Sequence, residues 1–144
     1  MDRASLLHLP ARDATVAVLD LELTGLSPDH DRICEVAVVR GASGVVQREF
    51  QSLVRPKAPM SPGVLACHGI GHEVLSGAPP FAQIALQVAD ALDGAALVAH
   101  NLPFDLGFLQ RELDDAGVNV GTYVSVDTLM MARRLFAFPR NNLG

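Results

Sequence analysis

Apolar and β-branched residues crowd three early stretches of the chain, and each reads as a strand. The first is ATVAVLDLEL (14–23), followed by a loop signal in the Gly, Pro, Ser and Asp of TGLSPDHDR (24–32). ICEVAVVRG (33–41) and GVVQREFQSLV (44–54) predict two more strands joined by a tight Gly/Ser turn, a hairpin. RPKAPMSPG (55–63) is a Pro-rich connection, VLACHGI (64–70) predicts a short helix, and GHEVLSGAPP continues as loop. From Phe81 to Leu92, apolar residues at 81, 84, 85, 88, 89 and 92 follow helical spacing. GAALVAHN (94–101) predicts a short buried strand. PFDLGFLQRELDDAG (103–117) opens with Pro, carries apolar residues at 104, 108, 109 and 113, and closes on Gly, which predicts a helix. TYVSVDT (122–128) predicts a last strand running into a helix over LMMARRLFAF (129–138), with Met130 and Met131 as core filler. The order of strands and helices predicts an α/β domain, a mixed sheet flanked by helices. Residues 1–13 read as an irregular lead-in, which leaves 14–144 as the domain.

Bulk properties narrow the function. A chain of 144 residues, 49% hydrophobic and 19% charged, fits one globular domain with one core. No apolar run approaches the ~20 residues of a membrane span, and the N-terminus lacks the pattern of a secretory signal. Cys34 and Cys67 form neither a CxxC pair nor a disulfide framework. They read as small buried hydrophobes in a reducing cytoplasm. The net charge of −5 argues against a broad basic face for duplex nucleic acid. It does not exclude an enzyme that grips one strand end through metal ions, because bound cations invert the local field.

The candidate chemistry begins with Asp20 and Glu22 in VLDLELTGL (18–26). Their spacing places both carboxylates on one face of a strand, near its C-terminal end, where ligand sites of open α/β sheets form. Two readings fit: acids at an exposed strand end that meet water, or hard oxygen ligands for Mg²⁺ or Mn²⁺. Asp105 lies in the first turn of the helix after a second strand end, where a helix N-terminus stabilises an anion. Its neighbours Phe104 and Leu106 are apolar, which suggests the edge of the core.

Four ordered motifs now carry a resemblance. DLELTGL (20–26), HGI (68–70), AHNLPFDLGFL (99–109) and VDTLMMARRLF (126–136) are similar in order and spacing to the DnaQ-like (DEDDh) 3′→5′ exonucleases. That family includes the proofreading epsilon subunit of bacterial DNA polymerase III, ribonuclease T and oligoribonuclease. The resemblance implies a ribonuclease H-like fold and metal-dependent removal of nucleotides from single-stranded 3′ ends. DNA proofreading or repair is the expected setting, with RNA as an alternative substrate and a polymerase subunit as a possible partner. It further implies two Mg²⁺ or Mn²⁺ ions held by Asp20, Glu22 and Asp105. Leu23, Thr24, Gly25, Leu26, His68, Asn101 and Phe104 would contact substrate, the small Gly25 permitting close backbone approach.

Some positions depart from the family pattern. Leu21 and Leu23 stand where threonines are usual, which removes a hydroxyl near the nucleotide. His100 matches a structural histidine, and Asp127 reads as a helix N-cap. The family's third motif, a histidine base and a fourth metal-binding aspartate, lies beyond the stretch resembling RNNLG (140–144). The expectation is therefore a C-terminally incomplete domain lacking its final helix, or an impaired module that binds nucleic-acid ends. A strip of sheet lined by Val16 and Val98 should then be poorly covered.

Overall fold

The first strand, β1 (Val16–Leu23), turns Ala17, Leu19, Leu21 and Leu23 into the core and leaves Val16, Val18, Asp20 and Glu22 on the opposite face. This is the two-residue period of a pleated strand. The structure, a computed structural model, describes residues 3–136. On one side β1 pairs antiparallel with β2 (Ile33–Ala42), which returns antiparallel as β3 (Val45–Leu53). The hairpin turns through Ser43 and Gly44, with φ of 52° and 76°. Two successive positive φ angles give the turn a twist that matches its strands. On the other side β1 pairs parallel with β4 (Ala96–Ala99), and β4 parallel with β5 (Ser125–Asp127). The resulting order, β3-β2-β1-β4-β5, is the predicted mixed sheet.

Two helices cover the core face, α4 (Phe81–Leu92) and α5 (Leu102–Asp115). Phe81, Ile84 and Val88 of α4 and Phe108, Leu109 and Leu113 of α5 join Leu19, Leu21, Val36 and Val38 in one apolar cluster. Each such side chain contributes about 1.5–3 kcal/mol by leaving water. Arg40 reaches from β2 to the end of α4, where Nη1 donates to the carbonyls of Ala91 (3.3 Å) and Asp93 (2.5 Å). Carbonyls at a helix C-terminus have no intrahelical partner, and a cation there also favours the dipole. Among the described residues, the opposite face of the sheet is left open. Val18 and Val39 are 45% and 38% exposed, and Val16 and Val98 are half-buried, so the poorly covered strip is present.

Several local expectations change. The irregular lead-in contains α1 (Arg3–His8), which buries Leu6. The loop after Ile70 contains α3 (His72–Ser76), five residues with only Leu75 buried, too short for helical spacing to show. The short helix α2 spans Pro62–His68 and starts earlier than expected. The Ser61 hydroxyl caps it by accepting from Val64 N at 3.4 Å, and Pro62 occupies the first turn, where a missing N–H costs nothing. The last helix, α6 (Thr128–Leu135), buries none of its residues, so Met130 and Met131 are 45% and 46% exposed instead of filling core. Cys34 is buried as expected, but Cys67 on α2 is exposed. The expected end of the last helix at 138, and RNNLG at 140–144, lie outside the described residues.

Candidate functional site

Asp20 and Glu22 sit near the end of β1 on the open face, Asp20 exposed and Glu22 half-buried. Asp105 stands in the first turn of α5 and is only 8% exposed. The helix begins abruptly because Asn101 adopts the left-handed conformation, φ 66°, which asparagine tolerates better than most residues. Asp127 holds that start in place. Its Oδ1 accepts from Asn101 N at 3.0 Å and from Leu129 N at 2.9 Å, so one carboxylate supports the starts of α5 and α6. Burial works against the charge on Asp127, but backbone N–H donors outweigh it and lower its pKa. The N-cap expected at Asp127 is therefore present.

The three acids share one electrostatic field. Burial pushes the Asp105 carboxyl up to about 7, and the charges on Asp20 and Glu22 push in the same direction. Glu22 is also raised, first by burial; His68 opposes this, while Asp20 and Glu35 add to it. Burial first, and neighbouring like charge second, keep a proton on Asp105 near neutral pH. The donor set fits a hard divalent cation, since carboxylate oxygens are its preferred ligands and a cation would replace that proton. Among the described residues, no group of three His, Cys, Asp or Glu side chains stands in a ligating arrangement. The three acids interact electrostatically but do not converge in a ligating arrangement.

The loop after β1 departs from its expected role. Leu23 follows Glu22 onto the core face and is buried, so its side chain is turned away from any nucleotide. Thr24 is also fully buried, with its hydroxyl committed inside the protein: Oγ1 donates to Asp31 Oδ1 and accepts from Arg32 N, both at 3.0 Å. Gly25 is required by a near neighbour. A Cβ there would lie 2.3 Å from Asp31 Oδ2, which itself accepts from Ser27 N at 2.9 Å. Of this stretch, Leu26 is the residue presented to solvent. Phe104, half-buried, packs edge-on against Phe108 with ring centroids 5.1 Å apart. His100 stacks a second local tie, Nδ1 to Thr128 Oγ1 at 3.0 Å, in keeping with a structural role.

Sequence reasoning missed the fastening of this loop to α5. Arg32 Nη1 pairs with Asp115 Oδ2 at 2.7 Å and with Glu112 Oε1 at 3.7 Å, while Arg111 donates to the carbonyl of Pro28. Glu112 is buried, and burial raises its pKa against the pull of Arg32 and Lys57. Glu112 lies on the same helix as Asp105, so α5 carries one acid of the site at its start and anchors the loop near its end. The partners are 80 or more residues apart in the chain. Only the residues of the α5 face itself, at helical spacing, could have hinted at this.

Comparison with known proteins adds the family. The profile of the RNase_T family, described as Exonuclease, matches residues 17–144. The chain is 33% identical over 135 residues to a DNA polymerase III PolC-type protein of Listeria innocua, covering 94% of this chain and 9% of that protein. It is 34% identical over 137 residues to a DNA polymerase III subunit epsilon of Pasteurella multocida, covering 88% of this chain and 53% of the relative. The chain thus spans about half of the epsilon subunit and a small part of the PolC-type protein. Among solved structures, exonuclease X in complex with 5′ overhanging duplex DNA superposes with a TM-score of 0.67 at 25% identity, over 85% of this chain and 64% of that one. A product-bound exonuclease I superposes with a TM-score of 0.78 at 18% identity, over 88% of this chain and 33% of that one, and shares the ribonuclease H-like fold.

Proposed function

The chain belongs to the RNase_T exonuclease family, and from that premise we propose that it removes nucleotides from single-stranded 3′ ends with two Mg²⁺ or Mn²⁺ ions. The observation that carries the reading is the placement of Asp20 and Glu22 at the end of β1 and of buried Asp105 in the first turn of α5, where burial first, and then the charges of Asp20 and Glu22, raise the Asp105 carboxyl. A pair of bound divalent ions lowers the pKa of an attacking water and stabilises the leaving 3′ oxygen. The protein's own part is to hold and orient. Asp20, Glu22 and Asp105 would hold the ions through their carboxylate oxygens, Asp20 being the most exposed of the three. Leu26 offers an exposed apolar surface for the terminal base, with Phe104 and Asn101 at the start of α5 beside Asp105. Kinship with DNA polymerase III proteins favours DNA over RNA, a proofreading or repair role beside a polymerase subunit, and a cytoplasmic setting. No helix among the described residues is long and apolar enough to cross a membrane.

A second reading, a 3′-end-binding module with little turnover, is favoured by the absence of a ligating arrangement among the described acidic, His and Cys side chains. One experiment separates the two. Single-stranded DNA labelled at its 5′ end is incubated with the protein and Mn²⁺, beside RNA of the same sequence. Shortening from the 3′ end that stops with chelator and with Asp20→Ala supports the enzyme. Binding without shortening supports the module, and neither binding nor shortening overturns both.

A further inference from the structure

The carboxylate of Glu22 is followed at once by an irregularity. From Val16↔Gly41 to Glu22↔Glu35 the β1–β2 ladder keeps one register, and then Leu23 pairs with Ile33. Cys34 is therefore an extra residue on β2, a β-bulge, which bends its strand and re-aims nearby side chains. Bulges leave backbone groups outside the ladder. Here the Leu23 carbonyl is met by His68 Nε2 at 3.2 Å, with Cys34 Sγ 3.8 Å from the same nitrogen. The other ring nitrogen, Nδ1, accepts from Ile70 N at 3.0 Å. A nitrogen that accepts from an amide carries no proton, so Nε2 carries it and donates to Leu23. Thr24, the next residue, has its carbonyl taken by Ser61 N at 2.9 Å. The α2 segment is thus tied from both ends, at Ser61 and His68, to two consecutive carbonyls directly after Glu22. No residue of α2 is buried, so hydrophobic packing does little to hold it there.

We propose that His68 is a positioning residue, which holds the Leu23 carbonyl through Nε2–H while Nδ1 accepts from Ile70, and so fixes the bulged strand end that aims the Glu22 carboxylate. The inference rests on the reading of Glu22 as a metal ligand. It differs from substrate contact, because both ring nitrogens are engaged within the protein. Groups that orient metal ligands typically matter 10–100-fold for metal affinity or activity.

The test has two arms. In the first, ¹⁵N–¹H correlation of the imidazole in the metal-free protein should show a single tautomer with the proton on Nε2. A proton on Nδ1, or a mixture of tautomers, overturns the proposal whatever the activity. In the second, Mn²⁺ is titrated calorimetrically into wild type, His68→Ala and His68→Gln, and kcat and KM are measured on single-stranded DNA. His68→Ala should bind Mn²⁺ about 10–100-fold more weakly and lose kcat by a similar factor with KM nearly unchanged. Glutamine offers a donor and an acceptor on one amide and should recover part of the loss. Wild-type Mn²⁺ affinity retained in His68→Ala, or a rise in KM alone, overturns the positioning role and leaves the metal site standing. Wild type that binds no Mn²⁺ overturns the metal reading itself, a failure that the tautomer arm keeps separate.

Discussion

Asp105→Asn tests the raised carboxyl of Asp105, because it removes one titrating group and changes the shape of the side chain little. In the folded protein the Asp105 carboxyl is pushed to about 7, first by burial and then by Asp20 and Glu22. In the unfolded chain it titrates near the ordinary ~3.9. The folded state therefore binds this proton more tightly than the unfolded state. Its contribution to stability is fully present below about pH 4 and is lost as pH rises through about 7. A shift of roughly three units at ~1.4 kcal/mol each gives an upper bound of about 4 kcal/mol. Screening by the solvent around exposed Asp20 reduces this to about 2–3 kcal/mol. Asparagine carries no proton to lose, so Asp105→Asn should be more stable than wild type by that amount at pH 8 in chelator, and nearly equal to it at pH 4. Urea denaturation from pH 4 to pH 8 measures the difference. With Mn²⁺ present the order should reverse, since a ligand of the native state stabilises whichever protein binds it more tightly. Parallel pH profiles for the two proteins in chelator would show that the Asp105 carboxyl is not raised in the folded protein. Equal stabilisation by Mn²⁺ would remove Asp105 from the cation site.

Three further outcomes follow from the loop and the cysteines. Thr24→Val keeps the shape but strands Asp31 and the Arg32 amide, and should cost about 2–4 kcal/mol in urea denaturation; a cost below about 0.5 kcal/mol would refute the hydroxyl's structural role. Gly25→Ala should destabilise wild type through its clash with Asp31 but cost much less in an Asp31→Ala background, and an additive double-mutant cycle would count against that contact. Iodoacetamide at pH 8 should label Cys67 and spare Cys34, whose thiol burial pushes up to about 12; mass spectrometry showing rapid labelling of native Cys34 would contradict its placement.

What was legible in the sequence was whatever one element could encode by itself. The alternation in β1 fixed which face Asp20 and Glu22 share, and the spacing from Phe81 to Leu92 outlined α4 to the residue. The helix carrying Asp105 was visible through its apolar stripe and closing glycine. The roles of Thr24 and Gly25 were not visible, because they depend on where Asp31 and Arg32 return after a tight loop. The Arg32–Glu112 pair was hidden for the same reason, its partners lying far apart in the chain. Met130 and Cys67 were misjudged because residue type alone does not reveal that α2 and α6 bury no residue. The mutual field of the acids needed the packing of α5 against the sheet. No local pattern reports that distance.

The open face of the sheet is ordered lengthwise as well as crosswise. Along β1, Val16 and Val18 come first and Asp20 and Glu22 last, across some 20 Å of strand. The neighbouring strand repeats the sequence, with Val39 opposite Val18 and Glu35 opposite Glu22. The surface therefore grades from hydrocarbon to concentrated negative charge within the length of one strand. Whatever lies along it meets two different solvents in a fixed order. A segment with its apolar residues at the β1 start and its cations, or its metal, at the β1 end is matched to the gradient. The same segment reversed would strand its charges on valine and press its hydrocarbon onto carboxylates. The sheet thus specifies polarity, and not only affinity, for anything that covers it.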